Sequence, residues 1–134
     1  MPSHPLNALT RINSTVKELF IYLYDLSPLD LDLLFIMIKE GKPLTLEELS
    51  SKADRDKSTV FRSVQKLVSA GICIKETRTI KEGGYYHIYS AVDMETFKAE
   101  TESRVRDLQK SLDRLMKKFE SDMQKTISSF YQEQ

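Results

Sequence analysis

Apolar positions recur along this chain in two rhythms, and the change between them divides it. From residue 27 to residue 71 the spacing is helical. Ser27-Pro28-Leu29-Asp30 places an N-cap, a first-turn proline and a first-turn acid ahead of Leu31, Leu34, Phe35 and Ile38, and Gly41 and Pro43 close the segment. Thr45-Leu46-Glu47-Glu48 forms a capping box and opens a short helix carrying Leu46, Leu49 and Ala53, which stops by Asp54. Asp56-Lys57-Ser58-Thr59 offers another N-cap, and Val60, Val64 and Leu67 then follow at i, i+4 and i+7 until Gly71. Two short helices joined by so tight a turn cannot lie side by side, so the pattern predicts a steeply crossed helix-turn-helix.

After Gly71 the period falls to two. Ile72 and Ile74 alternate with Cys73 and Lys75, the run Lys81-Glu82-Gly83-Gly84 interrupts, and Tyr85, His87 and Tyr89 then alternate with Tyr86 and Ile88 up to Val92. This predicts a β-hairpin with a Gly-Gly turn region. Asp93 is a plausible cap, and no Gly or Pro follows it. A single long helix is therefore expected, with Phe97, Val105, Leu108, Leu112, Leu115, Phe119, Met123, Ile127 and Phe130 on one narrow stripe. The spacing from Thr101 to Phe119 is heptad-like, which predicts pairing with a second copy through Val105, Leu108, Leu112, Leu115, Phe119 and Met123. Met123 and Ile127 break the heptad, a stutter that unwinds a left-handed coil locally. Leu9, Ile12, Val16, Leu19, Phe20 and Leu23 predict a further amphipathic helix whose apolar face needs cover. The fold class expected is mainly α with a small β-hairpin, an α+β arrangement.

The 134 residues are 40% apolar and 30% charged with only four Gly and four Pro, a helix-permissive composition that excludes disorder. One cysteine, Cys73, rules out an internal disulfide framework, and with only His4 and His87 besides it no metal site is expected. Cys73 reads as an inert thiol rather than a redox sensor, because no second cysteine can resolve it. His87 reads as part of a strand aromatic cluster rather than an effector ligand. No apolar stretch is long enough for a membrane span and Met1 to Pro5 does not begin a signal peptide, so a cytoplasmic protein without membrane contact is expected. Without a Gly-rich phosphate loop or a nucleophile-base pair, the chain reads as neither an enzyme nor a cofactor carrier.

Twenty basic residues cancel twenty acidic ones, so only their placement carries information. Residues 55–87 hold Arg55, Lys57, Arg62, Lys66, Lys75, Arg78 and Lys81 against Asp56, Glu76 and Glu82, while the segments on either side are net acidic. Positive charge confined to a helix-turn-helix and its hairpin is the footprint of a DNA binder. With Val60, Val64 and Leu67 turned inward, Ser58, Arg62, Gln65, Lys66 and Ser69 point outward and Thr59 lies at the margin. Ser58 and Thr59 suit phosphate at a helix N-terminus. Arg62 suits guanine and Gln65 adenine, and Lys66 suits the backbone. Arg78, Lys81 and Lys75 flank a hairpin tip suited to the minor groove or its phosphates. A capped surface helix or a solvated charged face would explain each sign singly; their coincidence favours duplex DNA.

These stretches also resemble a known family. Leu46-x-x-Leu49 through Ser58-Thr59-Val60-Phe61-Arg62-x-Val64-x-x-Leu67-x-x-x-Gly71-Ile72 is similar to the winged helix-turn-helix of MarR- and TrmB-type prokaryotic transcription regulators, the second group being archaeal in character. Gly84-Tyr85-Tyr86-His87-Ile88-Tyr89-Ser90-Ala91-Val92-Asp93, leading into a long charged helix, resembles the TrmB-type wing and dimerisation helix. The resemblance departs at Asp54, where glycine is usual, and at Arg55, where an apolar residue is usual. It covers roughly residues 27–120, and with the apolar spacing the expected division is an N-terminal amphipathic helix supporting the dimer over 1–26, a winged DNA-binding domain over 27–92, and a dimerisation helix over 93–134. It further implies a homodimer on an inverted repeat of double-stranded DNA, with residues 58–66 in the major groove; with the charge pattern, the expectation is that the 56–70 helix (Lys57 included) docks there and the 75–87 wing lies on flanking backbone or minor groove. The larger sugar-binding C-terminal domain of full-length TrmB-type proteins is not expected, so no sugar effector is implied and no other effector is indicated. The alternative is a winged-helix module that holds a protein partner in a larger assembly.

Overall fold

The computed structural model describes residues 16–132, which divide into two compact units at the Glu100–Thr101 bond. In the first unit, helix α1 (Val16–Tyr24) precedes α2 (Pro28–Glu40), a two-residue strand β1 (Leu44–Thr45), α3 (Leu46–Ala53), α4 (Lys57–Ser69), and strands β2 (Cys73–Thr79) and β3 (Tyr85–Ala91). Helix α5 (Met94–Lys117) begins in this unit, and α6 (Phe119–Gln132) lies in the second. Leu9 and Ile12, expected on the first helix, fall outside the described residues.

The helix boundaries follow from local chemistry. Ser27 and Asp30 form a reciprocal capping box on α2, and Gly41 ends that helix in the left-handed conformation at φ 65°. Thr45 and Glu48 form a second box on α3, where the Glu48 carboxyl is held below its ordinary pKa by the Thr45 amide and hydroxyl. Asp54 ends α3 at φ 54°, the left-handed position for which glycine is the least strained residue. The turn survives because aspartate tolerates this region better than most side chains. It is closed by the Arg55 amide donating to the Ser50 carbonyl at 3.1 Å.

The sheet has three strands in the order β1-β3-β2, all antiparallel, one more than the hairpin that periodicity predicts. Leu44 pairs with Tyr89 and Thr45 with Ile88, so the residue before the α3 cap is also a sheet residue. In the hairpin Cys73 faces Ala91, Lys75 faces Tyr89, Thr77 faces His87 and Thr79 faces Tyr85.

Leu33, Leu34, Met37, Leu44, Leu49, Val60, Val64, Leu67 and Ile72 are fully buried and form the core with Tyr24, Leu31, Tyr89 and Phe97. Phe97, from the first turns of α5, packs on Phe20 of α1 with ring centroids 5.1 Å apart. The predicted inward stripes of α3 and α4 hold at Leu49, Val60, Val64 and Leu67. The α2 stripe differs: Leu33 and Met37 are buried, whereas Phe35 is half-buried and Ile38 exposed. Helix α2 contacts α1, α3, α4 and β3, so it buries more than one face and a single stripe does not describe it.

The C-terminal helix is not continuous. At Lys118 the amide is shared between the carbonyls of Arg114 at 3.3 Å and Leu115 at 3.2 Å, a tightened turn that separates α5 from α6. Helical bonding resumes with the Asp122 amide on the Lys118 carbonyl at 2.9 Å.

Because Leu34 has no solvent exposure, Leu34→Ala should lower unfolding free energy by about 2–5 kcal/mol in urea titrations. A loss below about 1 kcal/mol would contradict the packing described.

Candidate nucleic-acid interface

Helix α4 carries the outward residues singled out in the sequence, and its start is fixed by Asp56. The Asp56 carboxylate accepts from the Thr59 amide at 3.1 Å and from the Thr59 hydroxyl at 2.6 Å, and these bonds hold it below the usual carboxylate range. Thr59 is half-buried and its hydroxyl proton is engaged with this cap, leaving the Ser58 hydroxyl as the more available donor on that turn. Lys57, Ser58, Arg62, Gln65, Lys66 and Ser69 are exposed while Val60, Ser63, Val64 and Leu67 are buried. The helix therefore has a dry side seated on α2, α3 and β2 and a wet side of polar and basic residues.

The dry side contains one polar contact that spacing did not reveal. Asp30 is 4% exposed, and it does more than close the α2 capping box. Its Oδ2 accepts from the Ser27 amide at 2.8 Å and lies 3.2 Å from Lys66 Nζ, while its Oδ1 accepts from the buried Ser63 hydroxyl. Burial opposes ionisation here, but donation by Ser63, the Ser27 amide and Lys66, together with the Lys66 charge, outweighs it and keeps the carboxyl below its ordinary pKa. A sequence signal existed: Ser63 sits among Val60, Val64 and Leu67 on the inward side, where a lone hydroxyl needs a partner. The identity of that partner, 33 residues away, was not readable.

In the wing, period two decides which cations can act together. Lys75 shares a face of the hairpin with Cys73 and Tyr89, whereas Arg78, three residues on, shares the opposite face with Glu76, with which it pairs at 3.2 Å. Lys81 stands at the tip, where Gly83 and Gly84 turn at φ 96° and 94° and the Ile80 amide bonds the Gly84 carbonyl at 3.1 Å. Lys75, Arg78 and Lys81 are all exposed. Arg55, Arg62, Lys75 and Lys81 have no ion-pair partner among the described residues, whereas Lys57 meets Glu47 at 3.2 Å, with both of these side chains mostly in solvent.

Helix and wing border one open cleft of about 420 Å³, lined by Lys57 and Phe61 from α4, Thr45, Leu46 and Glu47 at the start of α3, and Ile80, Tyr86, His87 and Tyr89 from the wing. The N-terminal half of α4 thus adjoins the wing, and Phe61 faces this cleft with 38% exposure. His87 lies 3.1 Å through Nδ1 from the Thr77 hydroxyl across the strands, with the Tyr85 ring 5.5 Å away. Of the expected strand aromatic cluster, the Tyr85–His87 ring pair forms, on one face of the hairpin.

Within the second unit, Val105 is half-buried and Leu108, Leu112, Leu115, Phe119 and Met123 are exposed, as are Ile127 and Phe130. Among the described residues no group of His, Cys, Asp and Glu is arranged to hold a metal ion, and no helix is long and apolar enough to cross a membrane.

Comparison with known proteins places these features in context. The family described as sugar-specific transcriptional regulator TrmB matches residues 23–95. An uncharacterized protein of Methanocaldococcus jannaschii is 33% identical over 84 residues, which are 63% of each chain, and a second from that organism is 25% identical over 81 residues. The matched stretch thus spans less than two thirds of the length of either relative. Among solved structures, a protein of Methanosarcina mazei Go1 described as a possible transcriptional regulator is similar with a TM-score of 0.72 at 23% identity, covering 82% of this chain and 95% of that one. The ST1889 protein of Sulfolobus tokodaii gives 0.60 at 21% identity, covering 72% and 93%. At such identities these structures establish the winged-helix fold.

Two outcomes follow from the buried groups. Burial pushes the Cys73 thiol up to about 12 and leaves its sulfur 4.0 Å from Met37 Sδ, so at mildly alkaline pH a disulfide reagent should label the native protein far more slowly than the urea-unfolded chain; equal rates would contradict this burial. For Asp30 the folded pKa is the lower one, so its contribution to stability is full above the unfolded value of about 3.9 and is lost as pH falls through the folded value. The stability gap between the native chain and Asp30→Asn should therefore shrink as pH is lowered from about 6 towards 3, and a gap that stays constant would refute the carboxylate's role.

Proposed function

The chain belongs to the TrmB family of transcriptional regulators, and from that premise we propose that it binds double-stranded DNA sequence-specifically as a homodimer. The observation that carries this reading is the division of α4 into a side locked to the core and a side presenting Lys57, Ser58, Arg62 and Gln65 to solvent. Helix α4 enters the major groove. Arg62, which makes no ion pair among the described residues, offers its guanidinium fork to guanine O6 and N7. Gln65, one turn on, reads adenine. Ser58 offers its hydroxyl to phosphate at the helix N-terminus, where the dipole favours an anion, with Thr59 beside it held in the Asp56 cap. Lys57 exchanges its exposed pairing with Glu47 for the DNA backbone.

The wing contributes charge rather than sequence reading. Lys81 at the tip and Arg78 on one hairpin face approach the flanking backbone or minor groove, and Lys75 meets phosphate from the other face. Two copies pair through Val105, Leu108, Leu112, Leu115, Phe119 and Met123, whose exposure along α5 and α6 in one chain supports a buried role in a dimer. A two-fold dimer reads two half-sites about 34 Å apart, and hence an inverted repeat. The protein acts by binding and not by catalysis, in the cytoplasm where the duplex is.

Gel-shift titrations on the gene's own upstream DNA and on random duplex, each at two salt concentrations, test this. Arg62→Ala should cost about 1–3 kcal/mol on the specific site and relax its sequence preference. Lys81→Ala should weaken both duplexes alike and lower the salt slope by about 0.9. Equal losses on both duplexes for Arg62→Ala would remove Arg62 from base reading. Absence of any specific complex by the native protein would favour a protein-binding winged helix instead.

A further inference from the structure

Lys66 looks like a phosphate contact by its place on the wet side of α4, yet its ammonium lies 3.2 Å from Asp30 Oδ2, on a carboxylate whose side chain is 6% exposed. Ser63, one turn earlier on the same edge of the helix, donates to the other oxygen of that carboxylate. Asp30 is itself fixed, because the Ser27 amide donates to it at 2.8 Å and its own amide donates to Ser27 Oγ at 3.2 Å. Two points on α4 are thus tied to one immobile point at the start of α2.

We infer that Ser63 and Lys66 are positioning residues of the DNA site, which set the roll of α4 about its axis through Asp30 and thereby aim Arg62 and Gln65. The inference rests on the DNA-binding reading above and deepens it. A roll of about 20° moves a side-chain tip some 6 Å from the helix axis by about 2 Å, which breaks a bidentate hydrogen bond to a base edge. Hydrophobic contacts by Val60, Val64 and Leu67 seat the helix but are non-directional, so they resist rolling weakly. Two hydrogen-bonding donors on one buried acceptor resist it strongly. Lys66 is also held where it is: moving its ammonium to a phosphate would leave a buried carboxylate short of its countercharge, a costly exchange for an interfacial contact that solvent and salt weaken. Lys66 accordingly takes no part in counterion release, unlike the unpaired cations of the wing.

The test compares the native chain with Lys66→Met, Lys66→Arg, Ser63→Ala and Asp30→Asn, each first checked for native circular dichroism, on the selected operator and on random duplex across a salt series. Lys66→Met should keep the native salt slope while the operator-over-random ratio falls by about five-fold or more, the discrimination one aimed base contact provides. Lys66→Arg, which retains a cation for Asp30, should restore the ratio. Ser63→Ala and Asp30→Asn should lower the ratio without changing the slope. A slope reduced by about 0.9 in Lys66→Met, with equal weakening on both duplexes, would make Lys66 an ordinary phosphate contact and overturn the inference. So would an unchanged ratio in Lys66→Met, or tighter binding to all DNA by Asp30→Asn. If the native chain bound no duplex, the DNA reading would fall first and this inference with it; native binding combined with any of the other contrary results would sink this inference alone. Should Asp30→Asn not fold, the comparison of Lys66→Met with Lys66→Arg decides.

Discussion

Burying a carboxylate between two helices costs several kcal/mol unless its oxygens are met by donors and its charge by a cation. Asp30 satisfies that requirement with the Ser27 amide, the Ser63 hydroxyl and the Lys66 ammonium. The same group begins α2 and fastens α4 to it. The hydrophobic core supplies the driving force for folding, but Leu, Val and Met contacts tolerate small rotations that a hydrogen-bonded carboxylate does not. The orientation of the exposed side of α4 is therefore tied to a polar contact on its buried side. Any use of Arg62 and Gln65 to distinguish sequences depends on that contact first.

Electrostatics in this chain is a matter of address rather than quantity. The formal net charge is zero, yet the cations of residues 55–87 outnumber the acids there. The structure further divides those cations. Lys66 is committed to a buried acid and Lys57 and Arg78 to exposed ones, while Arg55, Arg62, Lys75 and Lys81 remain unpaired among the described residues. An exposed ion pair is worth little and can be traded for a phosphate, whereas one made to a buried acid resists exchange. Counting basic residues would treat all seven alike, and burial shows that they differ in kind.

How much of this could be read from the chain follows from the range of each interaction. The caps at Ser27, Thr45 and Asp56 are legible because the groups they satisfy lie within three residues, and Gly41 is legible because few other residues accept its backbone angles. The hairpin itself is legible from its alternation, but not which side is covered, because Cys73 is buried and Ile74 exposed. Strand β1 escapes because two residues cannot display a period, and its pairing with Tyr89 is a tertiary fact. The single stripe assigned to α2 fails because a helix covered on several sides is apolar nearly all round. The interruption at Lys118 has no Gly or Pro to announce it. In the site, the exposed residues of α4 were legible from the wheel. The partner of Ser63, the engagement of Lys66 and the opposed faces of Lys75 and Arg78 depend on burial, on distant residues or on strand geometry.

The most direct measurement is amide chemical-shift mapping of the labelled protein titrated with its own upstream duplex. The account predicts that the perturbed residues concentrate on the N-terminal half and exposed side of α4 and on the wing from Lys75 to His87, with Val60, Val64 and Leu67 little moved. Perturbations confined to residues 101–132, with α4 and the wing silent, would contradict it.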